Sequence, residues 1–399
     1  MKVAVVAEFY PSRRDPVLGI WTHRQALAAR DAGADVRVLV LHRVVPPRSS
    51  LQGGLGGALG QLGGLLREPR RQVRDGLAIT YLPFVSPVRH RTYPSWGAWA
   101  APVLGLALQV LHRTFAFDLV HAHNAVPAGD AVRRALDRLP HLRVPLVISV
   151  HGGDVLYTAS RYEGGAAAVA RGLGAARLVL ANSEGIAELS QAHGARETRV
   201  VHLGSDVPPP AERRRREGPA TLVTVAHLIP RKRHADVLRA LAVLGQRHPA
   251  LRYSIVGDGP ERLALQGLAV RLGVSSRVEF HGQLDPAQAI EQARRATLFV
   301  MPSTEEAFGA GYVEAMAGGV PAIGCRGEPG PEEIAAAGDG MVLVPPGDIE
   351  RLSQRIDELL SDRQRLREAG QRARHTVAAN FTWPRCGRQT IAAYERALR

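Results

Sequence analysis

Residues 207–220 read VPPPAERRRREGPA. Three prolines fix φ and remove backbone donors, four arginines follow at 213–216, and Gly218-Pro219 closes the stretch, so neither helix nor strand continues through it. Such a segment reads as an exposed linker, its arginine run simply solvated. On either side the chain keeps one rhythm, short valine-, isoleucine- and leucine-rich runs alternating with alanine- and leucine-rich stretches of helical period. Before the linker, strands are predicted over 3–7, 36–41, 78–82, 119–122, 146–150, 178–181 and 200–203, with a helix over 22–32. After it, strands are predicted over 221–226, 252–256, 278–280, 298–301, 322–324 and 341–344. Helices are predicted over 235–244 and 260–272, and a last helical stretch from Asp348. Little polar alternation within the strands is what a sheet covered on both faces requires. The expectation is an α/β protein of two Rossmann-like, doubly wound parallel sheets, one domain over 1–206 and the other over 221–381. A ligand cleft is expected between the carboxyl ends of the two sheets.

Composition sets the outer bounds. The chain has 399 residues, too many for one ordinary core, and its 45% hydrophobic and 22% charged residues exclude general disorder. Every apolar run falls short of the ~18 residues needed to span a bilayer. The opening MKVAVVAEFY reads as a buried strand and turn, not a signal peptide. Cys325 and Cys386 are too few for a disulfide framework and lack metal-ligand spacing, so a soluble, reducing, cytoplasmic setting is expected. Lys+Arg 51 against Asp+Glu 37 leaves +14, and residues 1–150 hold 19 basic and 9 acidic residues, +10. That imbalance fits an anionic partner (lipid phosphate, membrane surface or nucleic acid) or a solvated basic surface. Aromatics at 5%, not interleaved with the arginines, argue against nucleic acid. Residues 51–74, LQGGLGGALGQLGGLLREPRRQVR, are too glycine-rich for a free-standing helix. They read as a lid, a membrane-surface patch or a plain insertion, and the apolar stretch 96–111 as a core helix or a continuation of that patch.

Three constellations carry chemistry. In residues 302–321, PSTEEAFGAGYVEAMAGGVP, Gly309 and Gly311 leave backbone N–H groups open at a helix start, which suits a phosphate or sugar oxygen. Glu306 lies in the loop before that helix and Glu314 on it, eight residues on, so the pair can accept hydrogen bonds from ribose and sugar hydroxyls; an acid complementing the helix dipole and a surface glutamate explain them equally. In AHLIPRKR, residues 226–233, His227, Arg231 and Lys232 cluster at a strand-to-helix turn. Lysines occur only at Lys2 and Lys232, and a compact ammonium there can neutralise a diphosphate. In VHGGD, residues 150–154, His151 beside Gly152-Gly153 can bond a sugar hydroxyl or departing phosphate, and Asp154 can orient it or bind acceptor. His121 and His123 end the preceding strand and read more simply as structural. A G-x-G-x-x-G fingerprint after the first strand, a P-loop and an Asp-x-Asp metal pair are all absent. A diphosphate site neutralised by protein cations, with no metal or other cofactor, is the better expectation.

In order, these pieces resemble glycosyltransferase family 4, retaining enzymes of the GT-B fold, along essentially the whole chain. EEAFGAGYVEAMAGGVP is similar to the family's E-x7-E block, VAHLIPRKR to its G-R-L-x-x-x-K stretch, and VGDGP, VEFHGQL and ANSEG to further landmarks. GIWTHRQALAARDAGADVRVL, HAHNAVPAG and VHGGDV resemble bacterial members that build surface polysaccharides, such as teichuronic-acid-type enzymes. The resemblance implies a UDP- or GDP-sugar donor and a glycan or lipid-diphosphate-linked acceptor. It implies that Glu314 binds the ribose, Lys232 the diphosphate, and Leu284 the base through its main chain. Glu306, with Phe308 and Gly309, would hold the donor sugar; His151 would lie near the reacting carbon, and Gly19 near the diphosphate or acceptor. His227 stands where the family has a phosphate-binding arginine, leaving Arg231 or the histidine to serve. The helix over 382–399 is similar to the family's closing helix, which completes the first domain. Same-face attack is favoured over double displacement by Glu306. A small soluble acceptor, or an inactive nucleotide-sugar-binding protein, are the alternatives.

Overall fold

A computed structural model of the protein describes residues 1–13, 15–45, 60, 63–65, 69–209 and 218–399. The centre of the linker, 210–217, and most of the glycine-leucine stretch, with the lid and membrane-patch readings placed there, lie outside the described residues. The chain divides into two units, Met1–His202 with Cys386–Arg399, and Leu203–Arg385. The division falls a few residues from 206/207 and 381/382 for a local reason. Ser205 N–H donates to the Phe381 carbonyl at 2.9 Å, and a Cβ on Gly204 would stand 2.3 Å from the Trp383 nitrogen, which ties 203–205 to 381–383.

The first unit holds strands β1 (Lys2–Ala7), β2 (Asp35–Arg43), β3 (Arg71–Arg74), β4 (Leu77–Phe84), β5 (Leu119–His123), β6 (Leu146–Val150), β7 (Leu178–Ala181) and β8 (Thr198–Val200). Their order is β3-β4-β2-β1-β5-β6-β7-β8, parallel except for the β3–β4 hairpin. Strands β5, β6 and β7 are buried at every residue, as a sheet covered on both faces demands. The main helices are α1 (Ile20–Asp31), α2 (Trp96–Phe115), α3 (Asp130–Asp137), α4 (Gly165–Ala175) and α5 (Glu184–Ala192). Helix α2 bears out the core-helix reading of 96–111 on one of its faces. Trp96, Ala100, Ala101, Leu104 and Leu108 are core, whereas Trp99, Leu106 and Val110 are exposed.

The hairpin corrects the reading of 51–74 as one lid-like segment, since its last residues, Arg71–Arg74, are an edge strand. Asp75 and Gly76, at φ 48° and 79°, form the turn. Asp-Gly between two strands matches the type I′ turn that their twist favours. The strand expected over 200–203 lies at Thr198–Val200; Val201 adds one more bond to Ala181 before the chain leaves the ladder.

In the second unit β9 (Thr221–Val225), β10 (Arg252–Val256), β11 (Val278–Gly282), β12 (Leu298–Val300), β13 (Ala322–Cys325) and β14 (Met341–Val344) are all parallel, in the order β11-β10-β9-β12-β13-β14. Around them lie α6 (His234–Val243), α7 (Arg262–Arg271), α8 (Pro286–Arg295), α9 (Ala310–Ala317), α10 (Pro329–Ala336), α11 (Ile349–Ser361) and α12 (Arg363–Asn380). Leu222, Val237, Leu241, Tyr253, Ile255, Leu298 and Ile356 form the heart of its core. Burying each such side chain contributes about 1.5–3 kcal/mol. The last helix, α13 (Trp383–Leu398), starts in this unit, and its residues from Cys386 onward belong to the first.

Candidate functional site

In each sheet the strand order reverses at one place, between β1 and β5 in the first and between β9 and β12 in the second. Loops leaving the carboxyl ends of two such strands diverge and open a crevice, where ligands of doubly wound sheets bind.

At the second reversal, residues 226–233 follow β9. This loop is bonded to the one after β10, Ala226 N–H to the Val256 carbonyl at 3.0 Å and Leu228 N–H to the Asp258 carbonyl at 3.0 Å. Gly257 and Gly259 permit that approach, for a Cβ on them would lie 2.0 Å from the Ala226 oxygen and 2.5 Å from the Leu228 oxygen. The GDGP turn is thereby a packing device. A single helical turn, Pro230–Lys232, then presents Lys232, and Arg233 at φ 56° redirects the chain into α6. From the neighbouring strand β12 comes the 301–309 loop, in which Glu305 has φ 54°.

Lys232 Nζ is hydrogen-bonded and ion-paired to Glu306 Oε2, both groups largely buried. The same oxygen accepts from Ser303 Oγ at 2.9 Å, and Ser303 lies 3.2 Å from the Tyr312 hydroxyl. Arg231 donates to the Glu305 carbonyl at 3.2 Å, and Thr304 N–H to the Arg231 carbonyl at 2.8 Å, joining the two loops. Burial disfavours the Glu306 carboxylate, but Lys232, Arg231 and Ser303 outweigh it and hold its pKa below the usual range. Burial lowers the Lys232 pKa, against the pull of Glu306. Sequence reasoning missed Glu328, which follows β13 and accepts the Glu306 N–H at 2.8 Å. Burial raises its pKa; the Glu306 N–H pulls it down, while the negative charges of Glu306 and Glu305 add to the rise. Its only sequence signal was a position just past a predicted strand.

The remaining predicted residues distribute around this pair. Gly309 begins α9 at φ 86°, where a Cβ would stand 2.3 Å from the Tyr312 ring, so glycine is required there on both counts. Phe308 is buried edge-on against Phe381, which commits its side chain to packing. Glu314 is half-buried on α9, its carbonyl accepting from Arg294 Nε at 3.4 Å. His227 is exposed, and Leu284 is half-buried between β11 and α8.

At the first reversal the residues are of another kind. His151 follows β6 and its Nε2 lies 2.9 Å from Nδ1 of His123, the last residue of β5. His121 is bonded to the Tyr394 hydroxyl at 2.7 Å and to Ser149 Oγ at 2.8 Å. Burial pushes the His151 pKa down to about 4 and that of His121 to about 3, and pushes His123 well below its ordinary value. All three are neutral imidazoles at pH 7. Nδ1 of His151, Nε2 of His123, Nε1 of Trp21, Oδ1 of Asn124 and Oδ1 of Asn182 are buried and have no hydrogen-bond partner among the described residues. Asn124 and Asn182 follow β5 and β7, so adjacent strand ends carry unsatisfied polar atoms, which native interiors rarely leave.

Asp154 does not bond to His151 among the described residues. Its two carboxylate oxygens accept the N–H groups of Ala125 at 2.9 Å and Val126 at 3.2 Å, and burial raises its pKa to about 7. It shapes the 124–129 turn. Gly19 caps α1 at φ 71°, and a Cβ on it would lie 2.2 Å from the Phe9 carbonyl carbon. Its glycine is thus required by the protein's own backbone. Glu8, just past β1, is held by the Tyr93 hydroxyl at 2.7 Å and by Arg89 at 3.9 Å, a cluster the sequence did not announce.

Among the described residues no three His, Cys, Asp or Glu side chains are grouped to hold a metal ion, and no helix is long and apolar enough to cross a membrane.

Two sequence families match. The one described as Glycosyltransferase Family 4 covers residues 17–208, and Glycosyl transferases group 1 covers 210–376. The chain is 31% identical to a D-inositol 3-phosphate glycosyltransferase of Streptomyces bingchenggensis, across 94% of this chain and 83% of that one. It is 37% identical to an exopolysaccharide phosphotransferase of Streptomyces coelicolor, across 40% of this chain but only 17% of that protein. Among solved structures, Anabaena Alr3699/HepE in complex with UDP and glucose superposes with a TM-score of 0.71 at 20% identity, over 99% of both chains.

Proposed function

Because the chain belongs to glycosyltransferase family 4 and is a glycosyltransferase of the GT-B fold, we propose that it moves a hexose-type sugar from a UDP- or GDP-sugar to a hydroxyl of a glycan or lipid-diphosphate-linked acceptor. The configuration at the anomeric carbon is retained and no metal ion takes part. In this reading Lys232 neutralises the donor diphosphate, with Arg231 and His227 beside it in sequence. Glu314 receives the ribose, the Leu284 main chain the base, and Glu306 with Gly309 the sugar. His151 lies near the reacting carbon, Gly19 near the diphosphate or acceptor, and Asp154 positions the 124–129 turn.

The observation that carries the proposal is the Lys232–Glu306 pair at the reversal of the second sheet. Its carboxylate is held by a lysine and a serine and has a lowered pKa, which makes a weak nucleophile. That supports same-face attack over a covalent glycosyl intermediate. The bond from anomeric carbon to diphosphate oxygen breaks, the acceptor oxygen bonds to the same face of that carbon, and the acceptor's proton passes to the departing diphosphate. The protein supplies orientation and charge stabilisation.

A membrane-surface acceptor is supported by α2, whose outer face exposes Trp99, Leu106 and Val110. Residues 76–117 around it contain no Asp or Glu but do contain Arg89, Arg91 and Arg113. A small soluble acceptor is the second reading, favoured by the match to a D-inositol 3-phosphate glycosyltransferase. A thermal-shift panel of UDP, GDP, ADP and dTDP, with and without magnesium, tests the donor site on wild type and Glu314→Ala. One nucleotide should stabilise the wild type without magnesium and fail to stabilise the variant; no shift from any of them overturns the donor assignment. Retention of the donor with no transfer to any acceptor identifies an inactive binder. Sedimentation with anionic vesicles, lost in Trp99→Ser/Leu106→Ser, separates the lipid-surface acceptor from the soluble one.

A further inference from the structure

The His123–His151 contact has a property that neither residue has alone. Between two neutral imidazoles, one nitrogen of the bond carries the proton and the other offers a lone pair. Each neutral ring has a single N–H. If His151 donates from Nε2, its Nδ1 is an acceptor, while His123, accepting at Nδ1, is a donor at Nε2. If His123 donates from Nδ1, both outer nitrogens reverse together. Among the described residues, neither of those outer nitrogens has a partner. His121 adds a fixed wall, both of its nitrogens being occupied and its ring centroid 4.4 Å from that of His123.

We propose that His123 is a positioning residue for His151, their 2.9 Å hydrogen bond locking both rings into the same tautomer and so fixing which nitrogen of His151 carries its proton. The inference rests on His151 facing the transferred sugar. Trp21, whose ring centroid is 6.2 Å from that of His151, carries a further buried N–H with no partner among the described residues.

Histidine side-chain ¹⁵N spectra of the full chain at pH 7.5, assigned with His151→Asn and His123→Asn, read the tautomers directly. The expected result is that both rings are Nε2–H or both Nδ1–H, and stay matched when UDP is added. Opposite tautomers or a cationic ring overturn the proposal. In kinetics, His123→Leu should lower kcat by about 10- to 10²-fold with the donor KM unchanged. His123→Asn, whose amide can offer either sense near the Nδ1 position, should recover most of that loss. His123→Leu/His151→Asn should be no slower than His151→Asn alone, because both changes remove one unit. Full kcat in His123→Leu, or losses that multiply in the double variant, overturn it. If His123→Leu fails to fold, the spectra and His123→Asn still decide. Absence of any nucleotide-induced thermal shift, with matched tautomers intact, would instead remove the donor assignment.

Discussion

The cluster where β9 lies beside β12 and the one at the ends of β5 and β6 are built from different materials. The second sheet sets charge against charge, Lys232 on Glu306, with Glu328 bonded to the main chain beneath. The first sets neutral rings against hydroxyls and one another, His151 on His123, His121 between Ser149 and Tyr394. A charge taken out of water needs an opposite charge close by, whereas a neutral polar ring needs only its hydrogen bonds. The two clusters therefore rest on different physics, ion pairing in one and uncharged hydrogen bonds in the other. They also fail under different insults.

Deleting one member of the ion pair should have the largest effect. Lys232→Ala leaves a buried carboxylate without its cation and should cost about 3–5 kcal/mol in urea unfolding. Initial rates should fall by about 10² or more, as should those of Glu306→Gln, the size of one electrostatic stabiliser. Lys232→Met/Glu306→Gln should regain stability without regaining turnover; full turnover in Lys232→Ala would abolish the contrast. Acid comes next and should strike the first unit harder. An unfolded histidine binds its proton near pH 6.5, but folded His121 does so only at about 3. Its contribution is complete above pH 6.5 and is lost as pH falls through that window, about 3 kcal/mol by pH 4. His123 and His151 add to this; in the second unit His234 is likewise lowered, to about 4. The Glu306 carboxyl, with its pKa lowered from 4.5, gives way only below that pH. Hydrogen exchange at pH 7.5, 5.5 and 4.5 should show protection fading first in β5 and β6; equal fading in both units would refute the distinction.

Two glycines sharpen the comparison at smaller cost. Gly19→Ala sets a Cβ against the Phe9 backbone and should cost about 3 kcal/mol, while Gly309→Ala meets the Tyr312 ring and should cost about 2 kcal/mol. Smallest of all, Tyr394→Phe removes one hydroxyl from His121 and should lower stability by about 1 kcal/mol with donor affinity unchanged.

The sheets were legible because parallel strands covered on both faces write continuous apolar runs, as Leu146–Val150 does. The hairpin of Arg71–Arg74 was not read, for its three polar residues offer no such run and the Asp75-Gly76 turn signal went unused. At the site, Lys232 and Glu306 were each identified, but as ligands of different donor groups. That they face each other depends on β9 lying beside β12, a strand order that local pattern does not encode across 74 residues. Glu328 was invisible for the same reason. His121 and His123 were given a structural reading because a lone histidine carries no partner list; only their neighbours distinguish a satisfied ring from one with an open nitrogen.

The closing helix has a consequence for synthesis. Tyr394 completes the histidine wall, Gln25 reaches Thr390 at 3.5 Å, and Gly387 lets α13 approach α1 so closely that a Cβ would stand 2.1 Å from the Ala28 oxygen. A ribosome delivers these groups only after the entire second unit has emerged. The first unit to be translated is the last to be finished, and until then His121 lacks the Tyr394 hydroxyl and α1 the helix that packs against it.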